Sequence, residues 1–110
     1  MTKLIVAIVQ DEDAGRLVSS LMNEGYGVTK LATTGGFLRA GNTTLLIGVE
    51  DEKFEGAMAI VERICKSRKQ VATAPSPMAG AAGVYVPYPI EVMVGGATIF
   101  VLNVEQFTKI

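Results

Sequence analysis

The chain has 110 residues, which suits one domain spanning 1–110 with its own buried core. It is 49% hydrophobic, only 19% charged and has a net charge of −1, so it lacks the basic footprint that a nucleic-acid polymer or an anionic membrane surface requires. It has no histidine and one cysteine, Cys65, which removes the commonest general base, imidazole metal sites and any intrachain disulfide.

Leu4 to Val9 is an Ile- and Val-rich run that predicts a central strand. It is short and ends in acids, so it is read as a buried strand and not a signal peptide, and no stretch approaches the ~18 residues needed to span a bilayer. A cytoplasmic protein is expected. Asp11 or Asp13 is placed to cap a helix whose apolar stripe is Ala14, Leu17, Val18, Leu21 and Met22. Gly25 suits the left-handed position that ends helices. Val28 to Thr33 predicts a second strand, Gly35 to Gly41 a loop, and Thr43 to Val49 a third strand.

Asp51 is placed to cap a second helix with the stripe Phe54, Ala57, Met58, Val61, Ile64 and Cys65. Cys65 on that stripe reads as a buried structural thiol. Lys66, Arg68 and Lys69 are expected at the helix's negative end. Residues 72–89 hold all four prolines and no charge, which predicts a long loop. Ile90 to Val94 and Ala97 to Val104 predict a hairpin across Gly95-Gly96.

The two halves echo each other: Ile5-Val6-Ala7-Ile8-Val9-Gln10-Asp11-Glu12 matches Leu45-Leu46-Ile47-Gly48-Val49-Glu50-Asp51-Glu52 in pattern. The expectation is an α+β, ferredoxin-like βαβ-βαβ fold with an extra C-terminal hairpin strand and a long loop at 72–89. Helices would cover one sheet face. The other face would remain apolar and need a partner, which predicts a homo-oligomer.

From Leu31 to Val49 the only charged residue is Arg39. Gly35, Gly36 and Gly41 allow backbone amides to approach a ligand closely. Phe37 and Leu38 offer a surface for a flat ring, Asn42 an amide that matches the adenine edge, and Arg39 a cation for phosphate. Singly, each has a plain structural role open to it: a turn, an interface plug, an ion pair. Together they point to a nucleotide pocket, although neither GxxxxGK[ST] nor GxGxxG is present.

The run Lys30-Leu31-Ala32-Thr33-Thr34-Gly35-Gly36-Phe37-Leu38-Arg39-Ala40-Gly41-Asn42-Thr43-Thr44 resembles the PII-like cyclic di-AMP receptor family. So do Ile8-Val9-Gln10-Asp11, Pro87-Tyr88-Pro89-Ile90-Glu91-Val92 and Val94-Gly95-Gly96-Ala97-Thr98-Ile99-Phe100-Val101. The resemblance implies a homotrimer that binds cyclic di-AMP at subunit interfaces without turnover and signals to a protein target through its loops. By matched position it implies ligand contacts at Thr29, Gly36, Phe37, Leu38, Asn42, Gly48 and Phe100. It implies no metal and no other cofactor. Better-known members carry arginine at the position of Gly27 and asparagine at that of Gly25. Lys30 and Arg39 are the candidate cations for the phosphates. Ordinary PII proteins bind ATP with several cations; the 72–89 segment here has none, which suits a ligand with only two diester charges.

Three other readings compete. One is a PII-like regulator of another adenine nucleotide. Another is a small acyl-phosphate hydrolase built on Arg39 and Asn42. The third is a purely structural trimer. The tyrosines of the 72–89 segment, Tyr85 and Tyr88, mark the candidate surface for the target.

Overall fold

In the computed structural model, two helices lie against one face of a four-stranded sheet, and a two-stranded arm leaves its end. The structure describes residues 1–31, 41–75 and 87–110, the side chains of 72–75 and 87–88 apart. The elements are β1 (Thr2–Gln10), α1 (Asp11–Asn23), β2 (Gly27–Leu31), β3 (Asn42–Glu50), α2 (Asp51–Cys65), β4 (Arg68–Pro75), β5 (Pro87–Val94) and β6 (Ala97–Val104). The βαβ-βαβ order and the mixed α+β class are as expected from the repeat. The sheet order is β2-β3-β1-β6, all antiparallel, and among the described residues β4 pairs only with β5.

Period-two alternation decides the two sheet faces. Ile5, Ala7 and Val9 of β1 and Leu45, Ile47 and Val49 of β3 are buried on the helix side. They meet Ala14, Leu17 and Leu21 of α1 and Ala57, Ile60, Val61 and Cys65 of α2. The predicted stripes hold at these positions, but Met22 is exposed and Ile60 joins the core beyond the expected set.

α1 ends in a Schellman motif. Tyr26 N–H donates to Leu21 O at 2.9 Å and Gly25 N–H to Met22 O at 3.0 Å, with Gly25 at φ +89°. The helix starts depart from expectation. Gln10 and Glu50 are the N-cap residues, and neither helix has a side-chain cap. Each strand runs into its helix without a linker, so Asp11 and Asp51 fall in the first turn. Asp11 instead accepts the Thr43 hydroxyl, and Asp13 is held by Arg68.

Two further expectations are corrected. The ends of the 72–89 segment are strand: Ala72 to Pro75 belong to β4 and Pro87 to Pro89 to β5, with Thr73 opposite Pro89 and Pro75 opposite Pro87. β5 and β6 do not form a hairpin, since one pairs with β4 and the other with β1. Arg68 and Lys69 also lie in β4, beyond the end of α2.

Cys65 is buried, as its place on the stripe predicts. Burial first, and the Asp13 carboxylate second, push its thiol up to about 11 from the ordinary 9.0, against Arg68 and Arg16, which pull it down. Iodoacetamide at neutral pH is expected to spare Cys65 until the chain is unfolded. Above pH 9 the unfolded chain loses this proton while the folded chain keeps it. Stability therefore falls as pH rises from about 9 to about 11. Melting curves of Cys65→Ala over that range should show a shallower fall than the parent.

Candidate functional site

The sheet face away from the helices carries rows fixed by strand register. Thr29, Leu46, Val6 and Phe100 stand side by side across all four strands. The row on one side is Gly27, Gly48, Leu4 and Leu102; the row on the other is Leu31, Thr44, Ile8 and Thr98. Phe100 is 55% exposed and Leu102 49%, a large apolar investment in a surface that neither α1 nor α2 covers.

Thr29, Asn42, Gly48 and Phe100 therefore share this open face, although they do not converge. Thr29 is on the outer strand β2 and Phe100 on the opposite outer strand β6. Three strand spacings separate them, roughly 14 Å. Asn42 lies at the far end of β3, in register with Gln10. A ligand touching all four must be long, or must sit where the rims of two copies meet. Lys30 registers with Leu45 and so belongs to the helix-side face, at the rim and exposed. Gly36, Phe37, Leu38 and Arg39 lie outside the described residues, as does Tyr85.

Two concavities border these residues. One, of about 230 Å³, is lined by Thr2, Gly25, Tyr26, Gly27, Gly48, Val49, Glu50, Lys53 and Phe107. Gly27 registers with Gly48, and an added Cβ at either would meet nothing within 4 Å. The missing side chains open this hollow. Lys53 brings a cation to it, and no carboxylate among the described residues lies within 4 Å of its amine. The other, of about 240 Å³, lies between Asn42, Gln10 and Ile8 on one side and Gly95 to Thr98 on the other.

Sequence reading missed Lys53, Gln10 and the Asp13–Arg68 pair. Asp13 was readable, since positions 13, 17 and 21 are one helix face and the last two are leucines. Its partner, 55 residues away, was not. The Asp13 carboxylate in turn raises the Arg68 pKa through their hydrogen bond.

Among the described residues, no helix is long and apolar enough to cross a membrane. A structure from Pediococcus pentosaceus, described as a functionally unknown protein, is 41% identical, with a TM-score of 0.78 over 99% of this chain and 97% of that one. A DUF3240 family protein from Shewanella baltica shares the fold at 10% identity, with a TM-score of 0.59 over 99% and 96% of the two chains. The family model described as cyclic-di-AMP receptor matches residues 2–110. The chain thus belongs to the cyclic-di-AMP receptor family.

Proposed function

We propose that the protein is a non-catalytic PII-like receptor that binds cyclic di-AMP between the subunits of a homotrimer and passes the signal to a protein target. The observation that carries this reading is the family match over residues 2–110. The geometry supports it. Thr29, Gly48 and Asn42 share an apolar face with Phe100, but the span between the rims is too wide for a single base. Packing of copies through this face would join one copy's Phe100 rim to another's glycine-lined hollow. In this reading Gly36, Phe37 and Leu38 complete the adenine contacts, and Arg39 and Lys53 are the cations available to the two diesters, Lys30 standing on the helix-side face.

Calorimetric titration with cyclic di-AMP, cyclic di-GMP, ATP and AMP tests it. Saturable binding of cyclic di-AMP alone is expected, with no turnover of ligand or of an acyl phosphate. Absence of heat and of any rise in melting temperature at high micromolar cyclic di-AMP would exclude the reading. Asn42→Ala removes an amide that matches an adenine edge and is expected to weaken binding by about 1–3 kcal/mol, roughly 5- to 150-fold. The oligomer should survive this change, as sedimentation would show. Loss of assembly in Asn42→Ala would favour a purely structural role.

A further inference from the structure

Asp13 is a carboxylate with 1% side-chain exposure in the first turn of α1. A buried charge persists only with partners. Arg68 Nη2 donates to Asp13 Oδ1 at 2.8 Å and Nη1 to Oδ2 at 3.4 Å, while Arg16 approaches Oδ1 at 3.5 Å. Arg68 is the first residue of β4 and registers with Val94, the last of β5. It is thus the basal rung of the arm. Arg68 Nη1 also donates to Lys66 O at 3.1 Å, tying that rung to the chain just past α2.

The other arm strand is held by the same turn. Gly95 N–H donates to Gln10 Oε1 at 2.7 Å, and Gly96 N–H donates to Cys65 O at the end of α2. The turn also grips the start of β3. Asp11 N–H donates to Gly41 O at 2.8 Å, and Asp11 Oδ1 accepts the Thr43 hydroxyl. Asn42 lies between those two anchor points. Its strand partner is Gln10, and both line the 240 Å³ hollow whose opposite wall is Gly95 to Thr98. Three residues of one turn therefore hold both: Gln10 and Asp13 hold the arm with their side chains, and Asp11 holds the Asn42 strand end.

We propose that this turn is a joint that couples ligand at Asn42 to the β4–β5 arm, with Gln10, Asp13 and Arg68 as positioning residues. The inference rests on the cyclic di-AMP reading above. The two-state element is the Gln10 carboxamide. It holds Gly95 when the hollow is empty and turns to the ligand when the hollow is filled, releasing one strand of the arm while Arg68 keeps the other. Coupling is reciprocal, so whatever frees the arm must also change ligand affinity, by about fivefold or more.

Hydrogen exchange of the full chain, with and without cyclic di-AMP, tests this. In the parent, ligand should change exchange within 68–75 and 87–94. In Gln10→Ala the arm should exchange faster, and ligand should no longer change it. Arg68→Met should shrink the ligand-induced difference and shift affinity about fivefold, while Arg68→Lys restores part of both. A purely structural role would raise exchange equally with and without ligand. A parent that binds, by calorimetry, without any change in the arm overturns the joint and leaves the receptor reading standing. So does a Gln10→Ala chain whose arm still responds as the parent's does. A parent that does not bind overturns the receptor reading, and the joint with it.

Discussion

Gly95→Ala should lower the melting temperature by roughly 8–40 °C. Gly95 has φ +84°, where a non-glycine residue costs about 1–2 kcal/mol. A Cβ there would stand 2.6 Å from Lys66 O and 3.1 Å from Cys65 O. Both are backbone atoms at the end of α2 and cannot swing aside. Overpacking of that kind adds about 1–3 kcal/mol, and each kcal/mol moves a domain of this size by about 4–8 °C. Gly96→Ala is the matched control. Gly96 has φ +89° but nothing within 4 Å of its Cβ position, so only the conformational cost remains. Calorimetric melts should therefore order the variants parent, Gly96→Ala, Gly95→Ala. Equal losses would mean that the contact with α2 contributes nothing.

The second large effect is expected from Val6→Lys. Val6 is half-buried at the centre of the open face, between Leu46 and Phe100. In a single copy a lysine there lays its stem on the sheet and keeps its amine in water. In the proposed trimer the same amine is buried without a partner, a cost of several kcal/mol. The variant should sediment as one 11.6 kDa chain where the parent sediments at three times that mass. Its far-ultraviolet circular dichroism should be unchanged. Its affinity for cyclic di-AMP should fall on the order of 100-fold, about 2.7 kcal/mol, because the two halves of the site no longer meet. Parent-like assembly and binding in this variant would place the subunit contact elsewhere.

The core was legible because its signal is periodic. Leu17 and Leu21, or Ile5, Ala7 and Val9, announce their face by spacing alone. The arm was not, and its prolines are the reason. Pro75, Pro87 and Pro89 lack ladder donors and read as loop, yet a two-stranded ribbon has a free edge on each strand where proline costs no hydrogen bond. Gly95-Gly96 misled in a different way. Two successive positive φ values suit a two-residue hairpin turn. Here their N–H groups go to Gln10 and Cys65, and the chain changes sheets instead of doubling back. The helix caps were misread because Asp11 and Asp13 are engaged by Thr43 and Arg68, partners far off in sequence.

For the candidate site the sequence offers residue types but no arrangement. A glycine-rich uncharged run, an aromatic and an amide suggest a flat ligand of low charge. That Thr29 and Phe100 stand at opposite rims follows only from the strand order. Lys53 was invisible for a related reason. It becomes a neighbour of Gly27 and Gly48 only when the start of α2 folds back beside them.

The two-sided sheet also limits how the chain's length can change. Removing one residue from within β1 or β3 would turn the remainder of that strand over. Ile5, Ala7 and Val9 would trade places with Leu4, Val6 and Ile8. Val6 or Ile8 moved into the place of Ala7 is too large for the space beneath the helices, and Ala7 sent outward is too small to replace the apolar surface there. Single-residue insertions and deletions are thus excluded from the interiors of β1 and β3.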